Sequence, residues 1–207
     1  MAITESTHAV EGLISEDPGS RSRKNITVNT GQDLGAMTVL GQIYTGTAAA
    51  GGSNTGDGTA SAVTIGKKTE VGAYTLTATS ATSFDVRAPS GYRLPTLTVG
   101  SAYTGGGHFG ITLSAGSTDF IAGDTFTVTM AEGDWEQLVV AATDGTQKAR
   151  GILLEACNAT SADKTSAAVV RDAKAKSGEM TWPTGITAGQ KTTAISELAE
   201  FGVIVET

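Results

Sequence analysis

The sequence predicts a β-rich α+β protein: a small core with one C-terminal helix, plus an inserted antiparallel sandwich- or barrel-like β-domain. Three observations carry this. The composition has 27 glycines in 207 residues and only 5% aromatics, with abundant Thr, Ser and Ala. That mixture suits short strands and tight turns better than long helices. The stretch Gly145–Arg171, GTQKARGILLEACNATSADKTSAAVVR, holds two apolar runs, Gly151–Leu154 and Ala167–Val170, separated by a polar loop from Asn158 to Thr165. Short apolar runs bounded by Gly, Asn, Asp and Ser read as buried strands joined by loops. The texture then changes at Thr45. Residues 46–58 are almost entirely Gly, Ala, Ser, Thr, Asn and Asp, a flexible-linker composition, and alternating short segments follow.

In order along the chain, residues 1–23 carry many charges and few large apolar groups, with a turn signal at Asp17-Pro18-Gly19-Ser20. They read as a mobile arm, in which Ile3, Val10, Leu13 and Ile14 are the groups to bury on a partner. Arg21, Arg23 and Lys24 form a small basic cluster, read either as a solvated stretch or as a contact for an acidic partner surface. Asn25–Asn29 alternates, with Ile26 and Val28 on one face, as a strand does. Met37–Tyr44 is the next strand, and Gly41 within it signals a bulge or a close backbone approach.

Beyond the linker, six segments read as strands of the inserted domain, placed at 46–132: Ala62–Ile65, Tyr74–Thr79, Phe84–Ala88, Leu94–Val99, Gly110–Leu113 and Phe126–Met130. Their regular spacing and turn-rich gaps suit a sandwich or barrel. The core resumes over 133–207, to be joined with 24–45. Trp135–Ala142 reads as a strand. Trp182-Pro183 is extended by the steric demand of the proline ring, and its indole is a candidate interface group. Thr187 is a helix N-cap for Ala188 to about Phe201, with the apolar stripe Ala194, Ile195, Leu198 and Ala199. Gly202 closes the helix, and Val203–Val205 reads as a last buried strand.

Net charge is −7, from 14 basic and 21 acidic residues, and the pI is about 4.8. Such a chain is repelled by phosphate backbones, which argues against nucleic acid as a partner. No stretch approaches the roughly 18 apolar residues of a membrane span, and no secretory signal pattern opens the chain, so synthesis in a cytoplasm is expected. The acceptor patterns Asn25-Ile26-Thr27 and Asn158-Ala159-Thr160 are then chance matches.

Residues with catalytic or ligand chemistry are sparse. The single cysteine, Cys157, excludes an internal disulfide and reads as a small buried hydrophobe. Gly105, Gly107 and Gly110 satisfy G-x-G-x-x-G, but Ile111-Thr112-Leu113 follows as strand where a dinucleotide site needs a helix. His8 and His108 have no second nitrogen or sulfur ligand at zinc spacing. Asp57, Asp119 and Asp124 lack the dense oxygen spacing of a calcium loop, and Asp124 reads as a turn residue. No nucleophile elbow occurs, and Glu155, Glu197 and Glu200 show no paired-carboxylate pattern. The expectation is a protein without catalytic, cofactor or metal residues.

The motifs Ala36-Met37-Thr38, Gly151-Ile152-Leu153, Val169-Val170-Arg171 and Trp182-Pro183, followed by a polar helix and an apolar terminal strand, resemble in their order the phage head decoration proteins of the lambda protein D type. The resemblance covers 24–45 and 133–207 and implies a decoration-protein core carrying the β-domain as a departure. It also implies a non-enzymatic virion protein, made in the host cytoplasm and placed on the outer surface of the capsid head. There a homotrimer would sit at three-fold sites of the expanded major capsid protein lattice and stabilise it against the pressure of packaged DNA. The arm would order on that lattice, with Arg21, Arg23, Lys24, Ile26 and Val28 as its capsid-binding residues and Trp182 and Pro183 as an interface. A rival reading makes the β-domain a carbohydrate-binding or adhesive module, with Tyr74, Tyr92, Tyr103 and Phe109 available to stack on a sugar.

Overall fold

A computed structural model of the chain describes residues 8, 10–17 and 21–206. It divides into two units, one running to Ile43 and resuming over Asp134–Ala142 and from Thr146, the other comprising Tyr44–Gly133 and Thr143–Gly145.

The first unit is built on a ring of five strands. Arg23–Val28 pairs antiparallel with Lys164–Val169, which pairs with Gly151–Leu153, which pairs with the start of Val39–Ala50. The end of Thr125–Gln137 comes next, and its Trp135 returns to Val28 in a parallel pairing that closes the ring. The short apolar runs are continuous because these strands are buried on both faces. Leu40, Leu153 and Ala168 face one cluster with Ile26, Val28, Trp135 and Cys157. Their neighbours Val39, Ile152 and Val169 face another, with Ala194, Leu198 and Val203.

A second layer covers that other face. The helix Ala188–Ala199 opens with Thr187 accepting from the Gln190 amide while the Gln190 side chain accepts from Thr187 N–H, a reciprocal cap. Of the predicted stripe, Ala194 and Leu198 are buried and Ile195 is half-buried, but Ala199 is exposed and Glu197 is buried instead, its carboxylate accepting from Ala149 N–H at 2.9 Å. Gly202, at φ +77°, follows the helix in the left-handed region. Val203–Glu206 runs parallel to Ala173–Lys176, which pairs on its other side with Leu13–Glu16. Val203 is fully buried but Ile204 is 44% exposed, so the last strand is buried on one face only.

The second unit is an antiparallel sheet in which Thr125–Gln137, Gly72–Ser80, Ser83–Arg87 and Arg93–Thr98 follow one another. The alternation is as read: Tyr74, Leu76 and Ala78 point inward, and Thr75, Thr77 and Thr79 outward. Two ribbons, Thr59–Ala60 with Leu113–Ser114 and Thr64–Ile65 with Phe109–Gly110, bring Ile65, Phe109 and Leu113 into the same core. Edge-to-face contacts link Phe84, Phe120 and Phe126 at 5.1–5.9 Å between centroids, each worth about 0.5–1.5 kcal/mol beyond burial.

Several expected boundaries are corrected. Phe126–Met130 and Trp135–Ala142 are not two strands; one strand runs Thr125–Gln137, and 138–142 leaves the sheet. The alternation breaks because the buried positions change parity, from Phe126, Val128 and Met130 to Trp135, while the backbone stays extended. Gly46–Ala50 is the end of the strand Val39–Ala50, not linker. The rest of the expected linker is pinned. The buried Asp124 carboxylate accepts from the Thr55, Gly56 and Ile121 amides at 2.8, 2.9 and 3.1 Å. Asn54 exchanges two hydrogen bonds with the Thr125 backbone, and Asp57 accepts from Ser117 and Thr118. The polar loop from Asn158 begins inside a further strand, Cys157–Ala159, paired with Gln32–Leu34.

Candidate functional site

The leading segment is the first region the sequence singles out. Residues 1–7, including Ile3, and Pro18-Gly19-Ser20 of the expected turn lie outside the described residues. Residues 10–17, read as mobile arm, are docked on the first unit. Val10 N–H donates to the Leu154 carbonyl at 3.1 Å, Lys176 N–H to Gly12 at 2.8 Å and Asp17 N–H to Asp172 at 3.1 Å. The strand Leu13–Glu16 lies along Ala173–Lys176 with a register break between Leu13 and Ser15. Ser22, which no sequence pattern marked, is fully buried and ties the turn: its hydroxyl donates to Asp172 O at 2.8 Å and accepts from Asp17 N at 3.0 Å.

The basic cluster is satisfied within the chain. Arg21 Nε lies 3.2 Å from Asp17 and 3.3 Å from Asp172. Arg23 Nε donates to both Glu16 carboxylate oxygens, at 3.0 and 2.8 Å. That hydrogen bonding holds the Glu16 carboxyl below its ordinary range and raises the Arg23 guanidinium. Lys24 Nζ sits 5.8 Å above the Trp135 ring. Ile26 and Val28 are 3% and 0% exposed. They are inward residues of the ring, not apolar groups on a free arm, because their strand is paired along its whole length with Lys164–Val169.

Trp182 and Pro183 are half-buried beside an open cleft. Gln137–Ala141 form one wall, Pro183–Ile186 the other, with Gln190 at the end; its volume is about 470 Å³. Val139 is 45% exposed there. Lys191 Nζ lies 5.6 Å over the Trp182 ring. The chain is held by Thr181, whose N–H donates to Met37 O at 3.0 Å and whose carbonyl accepts from Val39 at 3.1 Å.

The second unit does not present the expected sugar platform. Tyr74, Tyr103 and Phe109 are core residues, and only Tyr92, at 67% exposure, is free to stack. Burial pushes the Tyr103 phenol up to about 12. The triple-glycine run forms a 3₁₀ turn with positive φ at Gly105, Gly106 and Gly107, then strand, so it is the turn the sequence indicated. His108 is packed against Tyr74, whose hydroxyl is 3.2 Å from Nδ1, and burial lowers its pKa. Cys157 is a buried free thiol. Among the described residues, no cluster of His, Cys, Asp and Glu is arranged to hold a metal ion.

Residues 2–90 and 95–203 match the family model described as Bacteriophage lambda head decoration protein D. The matched stretches include most of 46–132, so the likeness is not confined to 24–45 and 133–207 as the motifs suggested. None of the curated proteins matches the chain. Among solved structures, it is similar to two crystal structures of Xanthomonas campestris FlgL, in space groups H3 and C2. These are 20% and 22% identical, cover 49% and 46% of this chain and 34% and 33% of theirs, and have TM-scores of 0.34 and 0.35. The chain thus spans about a third of the FlgL chains it matches, and a likeness at that level carries no argument about function.

Proposed function

The chain belongs to the bacteriophage lambda head decoration protein D family, and on that premise we propose that it is a homotrimeric clamp on the expanded phage capsid. The family role is structural, at the capsid of the phage head. The finer reading is that trimers bind the outer surface of the major capsid protein lattice at three-fold sites and brace it against the pressure of packaged DNA. The family match over nearly the whole chain carries the reading.

The geometry of the leading segment supports it. Leu13–Glu16 is an outer strand of its sheet, with a register break. Its Glu16 is ion-paired with Arg23, and the adjoining Asp17 with Arg21. Pairs of that kind contribute at most about 1 kcal/mol each. What holds it is mainly backbone pairing to one neighbouring strand, which a strand edge offered by the mature shell can supply in exchange, and three copies on one trimer multiply the effect through effective concentration. Arg23 would then be freed from Glu16 and Arg21 from Asp17 for acidic groups of the lattice, while Lys24 over Trp135, and Ile26 and Val28, stay with the ring.

Co-sedimentation with expanded and unexpanded heads tests this. The full chain should pellet with expanded heads only, and a variant lacking residues 1–17 should stay folded and remain in the supernatant. Undiminished pelleting of the truncated protein would remove the leading segment from the mechanism. Failure of the full chain to bind expanded heads would overturn the function.

A further inference from the structure

The outer face of the second unit's sheet carries two like charges set against each other. Arg87 and Arg93 are the only arginines of that unit. They stand directly opposite one another on the neighbouring strands Ser83–Arg87 and Arg93–Thr98. Like charges in that position destabilise a sheet. One carboxylate joins them: Arg93 Nε donates to Asp85 Oδ1, and Arg87 Nε lies 3.6 Å from Oδ2. The Arg87 and Arg93 side chains are 55% and 66% exposed, and that of Asp85 only 20%. Among the described residues a single carboxylate thus answers two cations, and both contacts use Nε. The terminal Nη groups of the two forks are left for a further acceptor.

Planar guanidinium forks take carboxylate oxygens two at a time, where an ammonium acts as a point charge. The surroundings narrow the occupant. Thr127, Thr75, Arg87 and Arg93 form one row across the sheet, and Thr125, Thr77 and Asp85 the next. Both rows are polar at every position, while Tyr74, Leu76, Phe84 and Val86 fill the buried side. Thr75 and Thr77 are exposed, which sets hydroxyls beside the cations. The rows offer no apolar wedge for a bilayer and no aromatic platform for bases. A net charge of −7 disfavours a densely charged duplex. The matching ligand for an open face of this kind is extended, rich in hydroxyls and carries carboxylates.

We propose that this face binds an acidic polysaccharide, with a uronate carboxylate held by Arg87 and Arg93 and neighbouring sugar hydroxyls on Thr75 and Thr77. Recognition is by charge and hydrogen bonds, without ring stacking. Asp85 holds the two cations in the free protein and competes with the ligand's carboxylate for them.

The test titrates the full chain with polygalacturonate at low salt, followed by calorimetry. Dextran is the uncharged control, and duplex DNA and phosphatidylglycerol vesicles are the phosphate arms. Polygalacturonate should bind, more weakly as salt is raised, and dextran should not. Arg87→Ala and Arg93→Ala should each weaken binding at least about tenfold. Arg87→Lys combined with Arg93→Lys should weaken it comparably, because the charge is kept and the forks are lost. Asp85→Asn should tighten it, since the competing charge is gone, and this gain decides if an alanine variant fails to fold. Wild-type affinity in all of these variants would overturn the site, and so would a failure of polygalacturonate to bind. Binding of DNA or of the vesicles in place of polygalacturonate would overturn the saccharide assignment. No arm of the test involves a capsid, so this site and the capsid role fail separately.

Discussion

Gly41→Ala tests the ring most directly. Gly41 lies in the strand Val39–Ala50, where the Thr146 backbone crosses it. A β-carbon built on Gly41 would overlap the Thr146 carbonyl oxygen and stand 2.6 Å from its Cα and 2.8 Å from its carbonyl carbon. Ordinary carbon–carbon contact is about 3.5–4.0 Å, so the backbones must part by roughly 1 Å. Neither has room: Thr146 and Leu40 are fully buried, and Leu40 is paired with Gly151. Overpacking of this kind costs about 1–3 kcal/mol. For a unit of about 100 residues that lowers the melting temperature by roughly 4–20 °C. The assay is built into the sequence. Both tryptophans, Trp135 and Trp182, lie in the first unit, and all four tyrosines lie in the second. Indole fluorescence should melt early in Gly41→Ala while the tyrosine signal keeps its wild-type midpoint. Gly35→Ala, where a β-carbon meets nothing within 4 Å, is the control and should be neutral or slightly stabilising. An indole midpoint in Gly41→Ala that matches wild type would refute the close-approach argument.

Asp124→Ala removes the acceptor of the Thr55 and Gly56 amides in the 51–58 loop. It should turn that loop from protease-resistant to the first site of cleavage; equal resistance in wild type and variant would show that the loop is held by other means. His108 should make the second unit pH-sensitive. Burial lowers its folded pKa below the ordinary 6.5, opposed by Glu70 and reinforced by Lys68, so the unfolded chain takes up the proton first. Its contribution is therefore complete above pH 6.5 and is lost as pH falls toward the folded value. The tyrosine-monitored melting temperature should drop between about pH 7 and 5 in wild type and drop less in His108→Gln. Parallel pH profiles for the two would exclude this histidine as the source.

Much of the architecture is visible in the order of residues, because it depends on neighbours within a few positions. Alternation in Tyr74–Thr79 put Leu76 inward and Thr75 outward. Thr187 and Gly202 bounded the helix through interactions of local reach. The apolar runs at Gly151 and Ala167 announced strands with no solvent face. What the residues alone determined, then, was periodicity, capping and the choice between buried and exposed faces.

The tertiary structure decided which edges meet. Ser22 reaches Asp172 across 150 positions, and Trp135 closes the ring on Val28; no local pattern encodes either. The same holds for the leading segment. Leu13–Glu16 has little to bury by itself, and it becomes a strand only because Ala173–Lys176 offers an edge. Likewise the glycine- and serine-rich loop is flexible by composition, yet Asp124, far along the chain, collects its amides. Composition sets what a segment can do alone, and long-range backbone pairing sets what it does when a partner strand lies beside it.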